Sequence, residues 1–456
     1  MPNMVRFHLH VFGCQMNVYD ADRLRSALVN RGWVEAPEDT AEVIVFVTCS
    51  IREKAEQKVL SALGRHGRSW YRASRPLVAV IGCMAQRMGE GLMRRFPWVR
   101  LVAGPRHLGL VPEALEDALR NGKRHLILDA DAREIIDLDE IPIVRSNPYK
   151  AYVTIAHGCD NFCTYCIVPY VRGRFRSRRP EDVICEVERL VKSGVLEVTL
   201  VGQNVNSYGR DLKGYSFPRL LEDVASIPGL VRLRFTTSHP RDFTDDLIEA
   251  MARVESICPS VNLPIQSGSD RILRLMNRGY TVAEYAAKVE KLRDALPQLG
   301  LTSDLIVGFP TESDEDFRAS LRALEAFHFD QVHTASYSPR EGTPAARMTG
   351  QVSEETKRER LCAVNALQSE IALEINKSLV GKECEVLLDG FAPKGEGLLQ
   401  GRTTTDKVVI VPGDANCLGK FALVKFVRAE HWCLHGEILS LHPFPLRERE
   451  VRDRAG

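Results

Sequence analysis

Three cysteines stand close together in one short segment, HGCDNFCTYCIVP. Cys159, Cys163 and Cys166 follow the spacing Cys-x-x-x-Cys-x-x-Cys, and we call them the loop trio. Three thiolates on one loop can bind three irons of a [4Fe–4S] cluster and leave the fourth iron open for a substrate or cofactor. Zinc sites favour Cys-x-x-Cys pairs and a closed tetrahedron of ligands. The spacing therefore favours an iron–sulfur cluster, with a zinc site or coincidental cysteines as the alternatives.

A second set of cysteines is spread over the first hundred residues. Cys14, Cys49 and Cys83, here the strand-end trio, each close a short apolar run: RFHLHVFGC, AEVIVFVTC and LVAVIGC. A single cysteine at the end of a strand is most often a small buried hydrophobe. Three at equivalent strand ends would share one edge of a parallel sheet, where such sheets bind ligands. We therefore expect these thiols to act as ligands, and the other six to be structural: Cys185, Cys258, Cys362, Cys384, Cys417 and Cys433.

The elements that must position both trios fall into three regions. Up to residue 125, runs rich in Val, Ile and Phe alternate with amphipathic stretches, which predicts a doubly wound parallel sheet. Over residues 148–376, six apolar runs alternate with helical patterns, which predicts a partial (six-unit) βα barrel with its chemistry at the carboxyl ends of the strands. Five short β-like runs over 377–441 predict a small all-β barrel. The chain is thus predicted to be an α/β multidomain protein, with 1–125 as its N-terminal domain, 126–147 as a linker and 442–456 as a tail.

Composition narrows the class of protein but names no partner. The 61 basic and 60 acidic side chains give a net charge of +1, and 44% apolar with 27% charged residues is ordinary for a globular chain. No run approaches the length of a membrane span, and the first ten residues lack the apolar core of a signal peptide. Twelve cysteines are too few for a disulfide scaffold. We expect a soluble, cytoplasmic protein.

The loop trio, with Tyr165 just before its last cysteine, resembles the signature of radical S-adenosylmethionine (SAM) enzymes, whose fold is a partial βα barrel. The order of three-cysteine domain, barrel and terminal β domain resembles the methylthiotransferases over essentially the whole chain. The β segment is similar to their TRAM domain, an RNA-binding module. The resemblance implies two [4Fe–4S] clusters: one on the loop trio, and an auxiliary one on the strand-end trio that also has an open iron.

The residues around the strand-end trio distinguish the subfamilies. GCQMNVYDADR at 13–23 and TCSIREKAEQKV at 48–59 resemble the tRNA-2-methylthio-N(6)-dimethylallyladenosine synthases. The subfamily acting on ribosomal protein S12 tends to read Gly-Cys-Pro-Lys-Asn and Thr-Cys-Gly-Phe at these sites. The subfamily acting on threonylcarbamoyl-adenosine tends to read Gly-Cys-Lys-Val-Asn at the first. The resemblance implies methylthiolation of carbon 2 of N(6)-isopentenyl (dimethylallyl) adenosine at position 37 of tRNA, next to the anticodon.

The resemblance also implies how the reaction runs. The C–H bond at carbon 2 of adenine is unsuited to acid–base chemistry, so a cofactor must carry the step. SAM bound to the loop-trio cluster would be cleaved to methionine and a 5′-deoxyadenosyl radical, a second SAM would donate the methyl group, and the auxiliary cluster would deliver sulfur. The implied partners are a tRNA carrying isopentenylated adenosine and a low-potential electron donor. We expect a monomer that does not bind membranes.

SAM requires fixed contacts at the carboxyl end of the barrel. Tyr165 is expected to pack near its adenine. The other candidates are polar side chains near the ends of apolar runs: Gln203, Asn204, Ser238, Gln266 and Asp304. The alternative for each is that it caps a loop or satisfies the backbone at a strand end.

A run of arginines follows the loop trio within eight positions: Arg172, Arg174, Arg176, Arg178 and Arg179, with Phe175 among them. Basic side chains with an interleaved aromatic suit phosphate contact and base stacking, so we expect this run to bind RNA. The alternative is a solvated basic face whose acids lie elsewhere in the fold.

Three functions from other classes remain as alternatives. The same machinery would serve to methylthiolate an aspartate of ribosomal protein S12, although the GCQMN and TCSIREK texts argue against that substrate. A non-catalytic iron–sulfur tRNA-binding protein would keep the clusters without cleaving SAM. A zinc-stabilised tRNA-binding scaffold would contain zinc and no inorganic sulfide.

Overall fold

The computed structural model describes residues 4–50, 53–73, 76–128 and 144–445. These residues form the three regions in the predicted order. Most of the predicted linker and the end of the predicted tail, residues 129–143 and 446–456, lie outside the described residues. Among the helices of the described chain, none has the length and apolar composition that crossing a bilayer requires.

The N-terminal region is a six-stranded parallel sheet in the order β2-β1-β3-β4-β5-β6. Its strands are β1 (Arg6–Val11), β2 (Val34–Glu35), β3 (Val43–Thr48), β4 (Leu77–Gly82), β5 (Val99–Ala103) and β6 (His125–Ile127). Every residue of β3 and β4 is buried, because helices cover both faces of the sheet. The continuous apolar runs in the sequence have this cause.

Five helices lie between these strands: α1 (Gln15–Asn30), α2 (Glu53–Ala73), α3 (Cys83–Met88), α4 (Glu90–Arg95) and α5 (Val111–Asn121). On one face, Leu24 of α1 and Leu115 of α5 pack into the same apolar cluster. On the other face, Leu63 of α2 and Leu92 of α4 pack into a second cluster. The prediction of a doubly wound parallel sheet is therefore confirmed.

The central region contains six parallel strands: β7 (Lys150–Thr154), β10 (Glu197–Val201), β11 (Arg232–Phe235), β12 (Ser260–Asn262), β13 (Gly300–Val307) and β14 (Gln331–Ser336). They form two three-stranded sheets, β11-β10-β7 and β12-β13-β14. A parallel bridge between Leu233 and Ile257 joins the two sheets into one open barrel. A small antiparallel pair, β8 (Ala156–His157) and β9 (Arg176–Ser177), lies beyond β7. The predicted six-unit partial barrel is confirmed.

The helices of this region are α6 (Val168–Val171), α7 (Pro180–Lys192), α8 (Phe217–Ala225), α9 (Asp245–Arg253), α10 (Asp270–Leu275), α11 (Val282–Ala295), α12 (Asp314–Phe327) and α13 (Glu354–Lys377). Two of them begin with a complete capping box, Thr281 with Glu284 and Ser313 with Asp316. Their apolar faces cover the outer side of the barrel. The barrel strands therefore leave their ends free to position functional groups.

The C-terminal region is a closed five-stranded barrel in the order β15-β16-β17-β19-β18. Its strands are β15 (Glu383–Phe391), β16 (Leu398–Arg402), β17 (Val408–Pro412), β18 (Phe421–Ala429) and β19 (Leu434–His442), one for each predicted run. Closure removes exposed sheet edges. Lys150 Nζ lies 2.8 Å from Asp389 Oδ2, and Arg232 Nη2 lies 2.9 Å from Glu385 Oε1. The small barrel therefore docks on the amino ends of β7 and β11, away from the loop trio.

Candidate active site

The loop trio follows β7 and β8 directly, at the carboxyl edge of the central barrel. One of its thiols is buried and the other two are half-buried. Gly158 allows the chain to turn here, because its φ is +72° and a Cβ at this position would lie 2.1 Å from the carbonyl oxygen of Arg174. The N–H of Cys159 donates to the carbonyl of Gly173 at 3.2 Å. The cysteine loop is therefore held against the segment that carries the arginine run.

Burial dominates the electrostatics of the loop trio. It raises the pKa of Cys159 to about 11 and that of Cys166 to about 12, and the neighbouring Cys163 raises both further. Arg278 Nη1 lies 3.4 Å from the sulfur of Cys163 and 3.5 Å from the hydroxyl of Tyr165. Thiols in this setting stay protonated near neutral pH unless a bound metal supplies positive charge. This donor set fits a metal cluster.

The strand-end trio converges at the carboxyl edge of the N-terminal sheet. Its members are the N-cap of α1, the residue after β3 and the first residue of α3. Gly13 has a φ of +127°, and a Cβ there would lie 2.3 Å from Cβ of Cys49. Gly82 has a φ of +100°, and a Cβ there would lie 2.5 Å from the carbonyl oxygen of Thr48. Glycine before two of the three cysteines therefore permits the close approach of the backbones.

A buried arginine lies beside the strand-end trio. The pKa of Cys14 is lowered to about 5, chiefly by a hydrogen bond with Cys49 and also by the charge of Arg172. Burial raises the pKa of Cys83. Nε of Arg172 lies 3.1 Å from the sulfur of Cys83, and Nη2 lies 3.1 Å from Asp20 Oδ2. The site thus holds a fixed positive charge that favours thiolate, the ligand form of cysteine.

The two trios face one another across the interface between the two regions. Cys83 packs against Ile167 and Val171 in a small buried cluster. Ile167 directly follows Cys166, the last cysteine of the loop trio, and Val171 ends the short helix α6. Arg172, the residue after α6, then contacts Cys83. One short segment of the barrel therefore touches both cysteine sites.

The sulfur atoms of each trio lie farther apart than the ligands of one metal ion. Among the described residues, two groups contain three ligand atoms that all lie within 4.8 Å of one another. Both groups contain histidine and glutamate, and neither trio is one of them. A tetrahedral zinc ion with Zn–S bonds of about 2.3 Å holds its sulfur ligands about 4 Å apart. The wider spacing fits a cluster of several irons better than a single zinc ion.

Four of the SAM candidates lie at the carboxyl edge with a buried polar atom that makes no hydrogen bond. These atoms are Gln203 Oε1, Asn204 Oδ1, Ser238 Oγ and Gln266 Oε1. A buried polar atom without a partner costs about 1–3 kcal/mol, so such atoms are rare without a reason. Their grouping beyond β10, β11 and β12 fits a polar ligand at this edge.

The remaining SAM candidates are placed differently. Asp304 lies within β13 rather than at its end, and it accepts a hydrogen bond from Asn262 Nδ2 at 3.1 Å. Asn204 also donates from Nδ2 to Asp242 Oδ2 at 2.6 Å, which is the loop-stabilising role that the alternative interpretation expects. Tyr165 packs beside a small apolar cluster below the loop. Only part of the predicted SAM set is thus open toward a ligand.

The arginine run divides into exposed and buried members. The side chains of Arg174 and Arg179 are 74% and 75% exposed, and Arg176 is exposed on the short strand β9. Arg172 and Arg178 are 4% and 9% exposed and form ion pairs inside the protein. The predicted RNA contact requires exposed side chains, and these two arginines are not exposed. Their acidic partners, Asp20 and Glu186, lie elsewhere in the fold, as the alternative interpretation expects.

Two buried charged residues were not predicted from the sequence, one at the interface between the two regions and one beside the loop trio. Glu186 of α7 is fully buried, and its carboxylate lies 2.8 Å from Arg178 Nη1 and 3.4 Å from Arg23 Nη1. An acid among the apolar positions of α7 was the available signal, since it shares a face with Val183 and Leu190. No motif in a single sequence marks Arg278, the missed cation beside the loop trio.

A cavity of about 200 Å³ opens beside the loop trio. Its polar and aromatic lining comes from the cysteine loop, the arginine run and the loops after β10 and β11: Asp160, Asn161, Phe175, Ser207, Arg210, Asp211 and Arg241. Phe175 is the aromatic side chain of the arginine run. The cavity therefore lies between the cysteine loop and the segment that carries the arginine run.

Three known families match the chain in the order of its three regions. The uncharacterized protein family UPF0004 matches residues 6–104, the radical SAM superfamily matches residues 153–324, and the TRAM domain matches residues 377–439. Among solved structures, the radical S-adenosylmethionine methyltransferase TsrM from Kitasatospora setae is similar, with a TM-score of 0.53 and 15% identity over 87% of this chain and 78% of that chain. At this identity the likeness shows the fold alone.

Curated relatives match almost the whole chain. A protein of Caldicellulosiruptor saccharolyticus named tRNA-2-methylthio-N(6)-dimethylallyladenosine synthase is 44% identical over 437 residues, which is 95% of this chain and 92% of the relative. Proteins of the same name from Dictyoglomus thermophilum and Aquifex aeolicus are 44% and 43% identical, and each match covers 96% of this chain and 99% of the relative. The chain therefore belongs to the tRNA-2-methylthio-N(6)-dimethylallyladenosine synthase family of radical SAM enzymes.

Proposed function

We propose that this protein methylthiolates carbon 2 of N(6)-isopentenyl (dimethylallyl) adenosine at position 37 of tRNA, next to the anticodon. Membership of the family supports the reaction and the substrate. Within the chain, the observation that supports it most directly is the contact of Cys83 with Ile167, which joins the two cysteine sites. A reaction that uses two clusters on one substrate atom requires both sites within reach of that atom.

The loop trio would hold the [4Fe–4S] cluster of the radical SAM superfamily, and the strand-end trio would hold an auxiliary one. When bound, these clusters supply the electron that cleaves SAM and the sulfur atom that the product gains. The protein contributes fixed charge, since Arg278 lies beside Cys163 and Arg172 lies beside Cys83. The charge of Arg278 favours the thiolate form of Cys166. That of Arg172 favours the thiolate forms of Cys14 and Cys83, and the buried surroundings strengthen both effects.

SAM would be held at the carboxyl edge of the central barrel, both as radical source and as methyl donor. The unpaired polar atoms of Ser238 and Gln266 are in place to accept or donate hydrogen bonds to its polar groups. Gln203 reaches the opposite wall, where Nε2 contacts the sulfur of Met16 in α1. The N-terminal region thereby contacts this edge of the barrel.

The tRNA would approach over the exposed arginines Arg174, Arg176 and Arg179. The cavity near them is lined by Phe175, and an aromatic ring is suited to stack on a base that has been turned out of the anticodon loop.

The other partner is a low-potential electron donor. We infer that the protein acts in the cytoplasm as a monomer.

The test is an anaerobic assay of the protein reconstituted with iron and sulfide, supplied with SAM and a low-potential reductant. Isopentenylated tRNA, unmodified tRNA and ribosomal protein S12 are offered in parallel and analysed by mass spectrometry after digestion. We expect a methylthio gain on isopentenylated adenosine alone. A gain on S12 would contradict the substrate, and 5′-deoxyadenosine without any methylthio product would contradict the function while keeping the radical SAM assignment.

A further inference from the structure

Three histidines and a glutamate form a compact group in the N-terminal region, away from both cysteine trios. His8 and His10 are two positions apart on β1 and thus point to the same side of the sheet. Their ligand atoms and that of Glu38 all lie within 4.8 Å of one another. His66 of α2 lies beside this group, with Nε2 at 3.3 Å from Glu38 Oε1, but outside the set whose ligand atoms all lie within 4.8 Å of one another. We call His8, His10, Glu38 and His66 the histidine site.

Two imidazole nitrogens of the histidine site lie close to the carboxylate of Glu38. His10 Nε2 lies 3.1 Å from Glu38 Oε2, and His66 Nε2 lies 3.3 Å from Glu38 Oε1. Both nitrogens are buried, and neither makes a well-aligned hydrogen bond. Ligands of a tetrahedral ion with bonds of about 2.0–2.1 Å lie about 3.4 Å apart and point at the ion rather than at each other.

The histidine tautomers and ring positions also suit metal binding. His8 Nδ1 lies 2.9 Å from the carbonyl oxygen of Ala36, which can only accept, so Nδ1 donates and Nε2 keeps its lone pair. A backbone carbonyl bound to the second ring nitrogen is the usual support of a metal-ligating histidine. Phe46 stacks on the ring of His10 at 4.9 Å and meets the ring of His66 edge-on at 5.8 Å, which restricts both rings.

The charges around the group act in both directions. The carboxylate of Glu38 supplies the negative charge that favours a bound cation, and the nearby guanidinium of Arg65 opposes it.

We propose that His8, His10 and Glu38 bind a divalent transition-metal ion of the zinc type, and that His66 turns in as the fourth ligand when the ion binds. Three imidazoles and one carboxylate would then complete a tetrahedron of nitrogen and oxygen ligands, the closed arrangement of a structural zinc site. The ion would join β1 to α2. It is a structural ion, separate from both clusters and from the proposed reaction.

The test uses the full chain with its clusters reconstituted, so that iron occupies the cysteines. One equivalent of zinc sulfate is added anaerobically, weakly bound metal is removed by gel filtration, and zinc is measured by mass spectrometry and by X-ray absorption at the zinc edge. We expect about one zinc per chain, with nitrogen or oxygen neighbours at about 2.0–2.1 Å. Zinc surrounded by sulfur at about 2.3 Å, or no retained zinc, would overturn the proposal.

Two variants and a matched control complete the experiment. His10→Ala removes a ligand from the strand, and Glu38→Gln removes the carboxylate from a partly exposed loop without disturbing the core. Each is expected to weaken zinc binding at least tenfold, with circular dichroism and iron content unchanged. Asp39→Asn removes the exposed neighbouring acid and is expected to leave zinc binding as it is. Unchanged zinc binding in Glu38→Gln would contradict the site.

Discussion

Nε of Arg172 lies 3.1 Å from the sulfur of Cys83, so a residue of the central barrel completes the environment of a site built by the N-terminal region. The same guanidinium reaches Asp20 in α1 through Nη2. Because Arg172 follows α6, which begins just after the loop trio, these contacts link the geometry of one cysteine site to the other. A change at this barrel residue is therefore expected to affect the strand-end trio of the N-terminal region.

Arg172→Ala tests that link. The change removes the cation beside Cys83, together with its ion pair to the buried carboxylate of Asp20, so we expect the auxiliary cluster to be lost and the iron content to fall by about half. Iron, sulfide and Mössbauer spectra measure the result, and SAM cleavage should persist. Arg189→Ala, an exposed arginine of α7, serves as control. Full iron content in Arg172→Ala would mean that the arginine has no role in holding the cluster.

Single cysteine changes should separate the two sites by their chemistry. Cys163→Ala is expected to abolish 5′-deoxyadenosine formation while about half of the iron remains, because the strand-end trio is intact. Cys49→Ala is expected to spare SAM cleavage and stop sulfur insertion into tRNA. Cys362→Ala, at an exposed position on α13, should change neither. Methylthiolation by Cys49→Ala would rule out the auxiliary cluster as the sulfur donor.

The cysteine sites and the strands that present them were predictable because both depend on local pattern. Spacing within one loop and equivalent strand ends marked the two trios, and apolar periodicity marked the sheet and both barrels. The partners of these sites were not predictable, since they come from distant parts of the chain. Arg172 meets Asp20 across 152 positions, and Arg278 meets Cys163 across 115.

The arginine run shows the same limit in a second way. A dense basic segment reads as one surface, but Arg178 turns inward to form an ion pair with Glu186, while Arg176 and Arg179 stay exposed. The buried acid that pairs with Arg178 is Glu186, which lies on α7 among apolar positions. Asp304 was misplaced for a related reason, because the strand continues to Val307, beyond the polar residue.

Ser238→Ala should change SAM binding and the stability of the SAM-free protein in opposite directions. The hydroxyl is buried and makes no hydrogen bond, so its removal should stabilise the SAM-free protein by up to about 1 kcal/mol. If SAM is its partner, the dissociation constant of SAM should rise about five- to tenfold. Equilibrium binding and chemical denaturation measure the two effects. Ser256→Ala is the control, because Ser256 is partly exposed and lies before β12. Unchanged SAM affinity in Ser238→Ala would mean that Ser238 does not belong to the SAM site.

Glu197 should make the stability of the docked barrels depend on pH. Burial alone would raise its pKa, but Arg234 and Lys150 outweigh this and lower the pKa from 4.5 to about 2. Since the folded pKa is the lower one, its stabilising contribution is complete above pH 4.5 and is lost as the pH falls toward 2. Denaturation of the iron-free chain should show this loss.

Glu197→Gln is the matching variant. It removes the buried carboxylate that lies 3.2 Å from Lys150 and 3.0 Å from Arg234. Although Lys150 keeps a second close partner in Asp389, we expect the change to lower the free energy of unfolding at pH 7 by about 3–5 kcal/mol. The fall in stability between pH 4.5 and 2 should also be shallower than in the unchanged protein. Equal pH slopes for the two proteins would contradict the role assigned to this carboxylate.

The exposed arginines offer the sharpest test of the tRNA surface. Replacing Arg174, Arg176 and Arg179 together with Ala should weaken tRNA binding and reduce the slope of log K against log salt by about 2–3, since each phosphate contact contributes about 0.7–0.9. Binding is measured by fluorescence anisotropy at several salt concentrations. The control variant carries Arg253→Ala and Arg189→Ala, which remove two exposed arginines on helices of the barrel. We expect its slope to stay nearly unchanged. An unchanged slope in the triple variant would mean that the run is a solvated face, paired with acids such as Asp160 and Asp182.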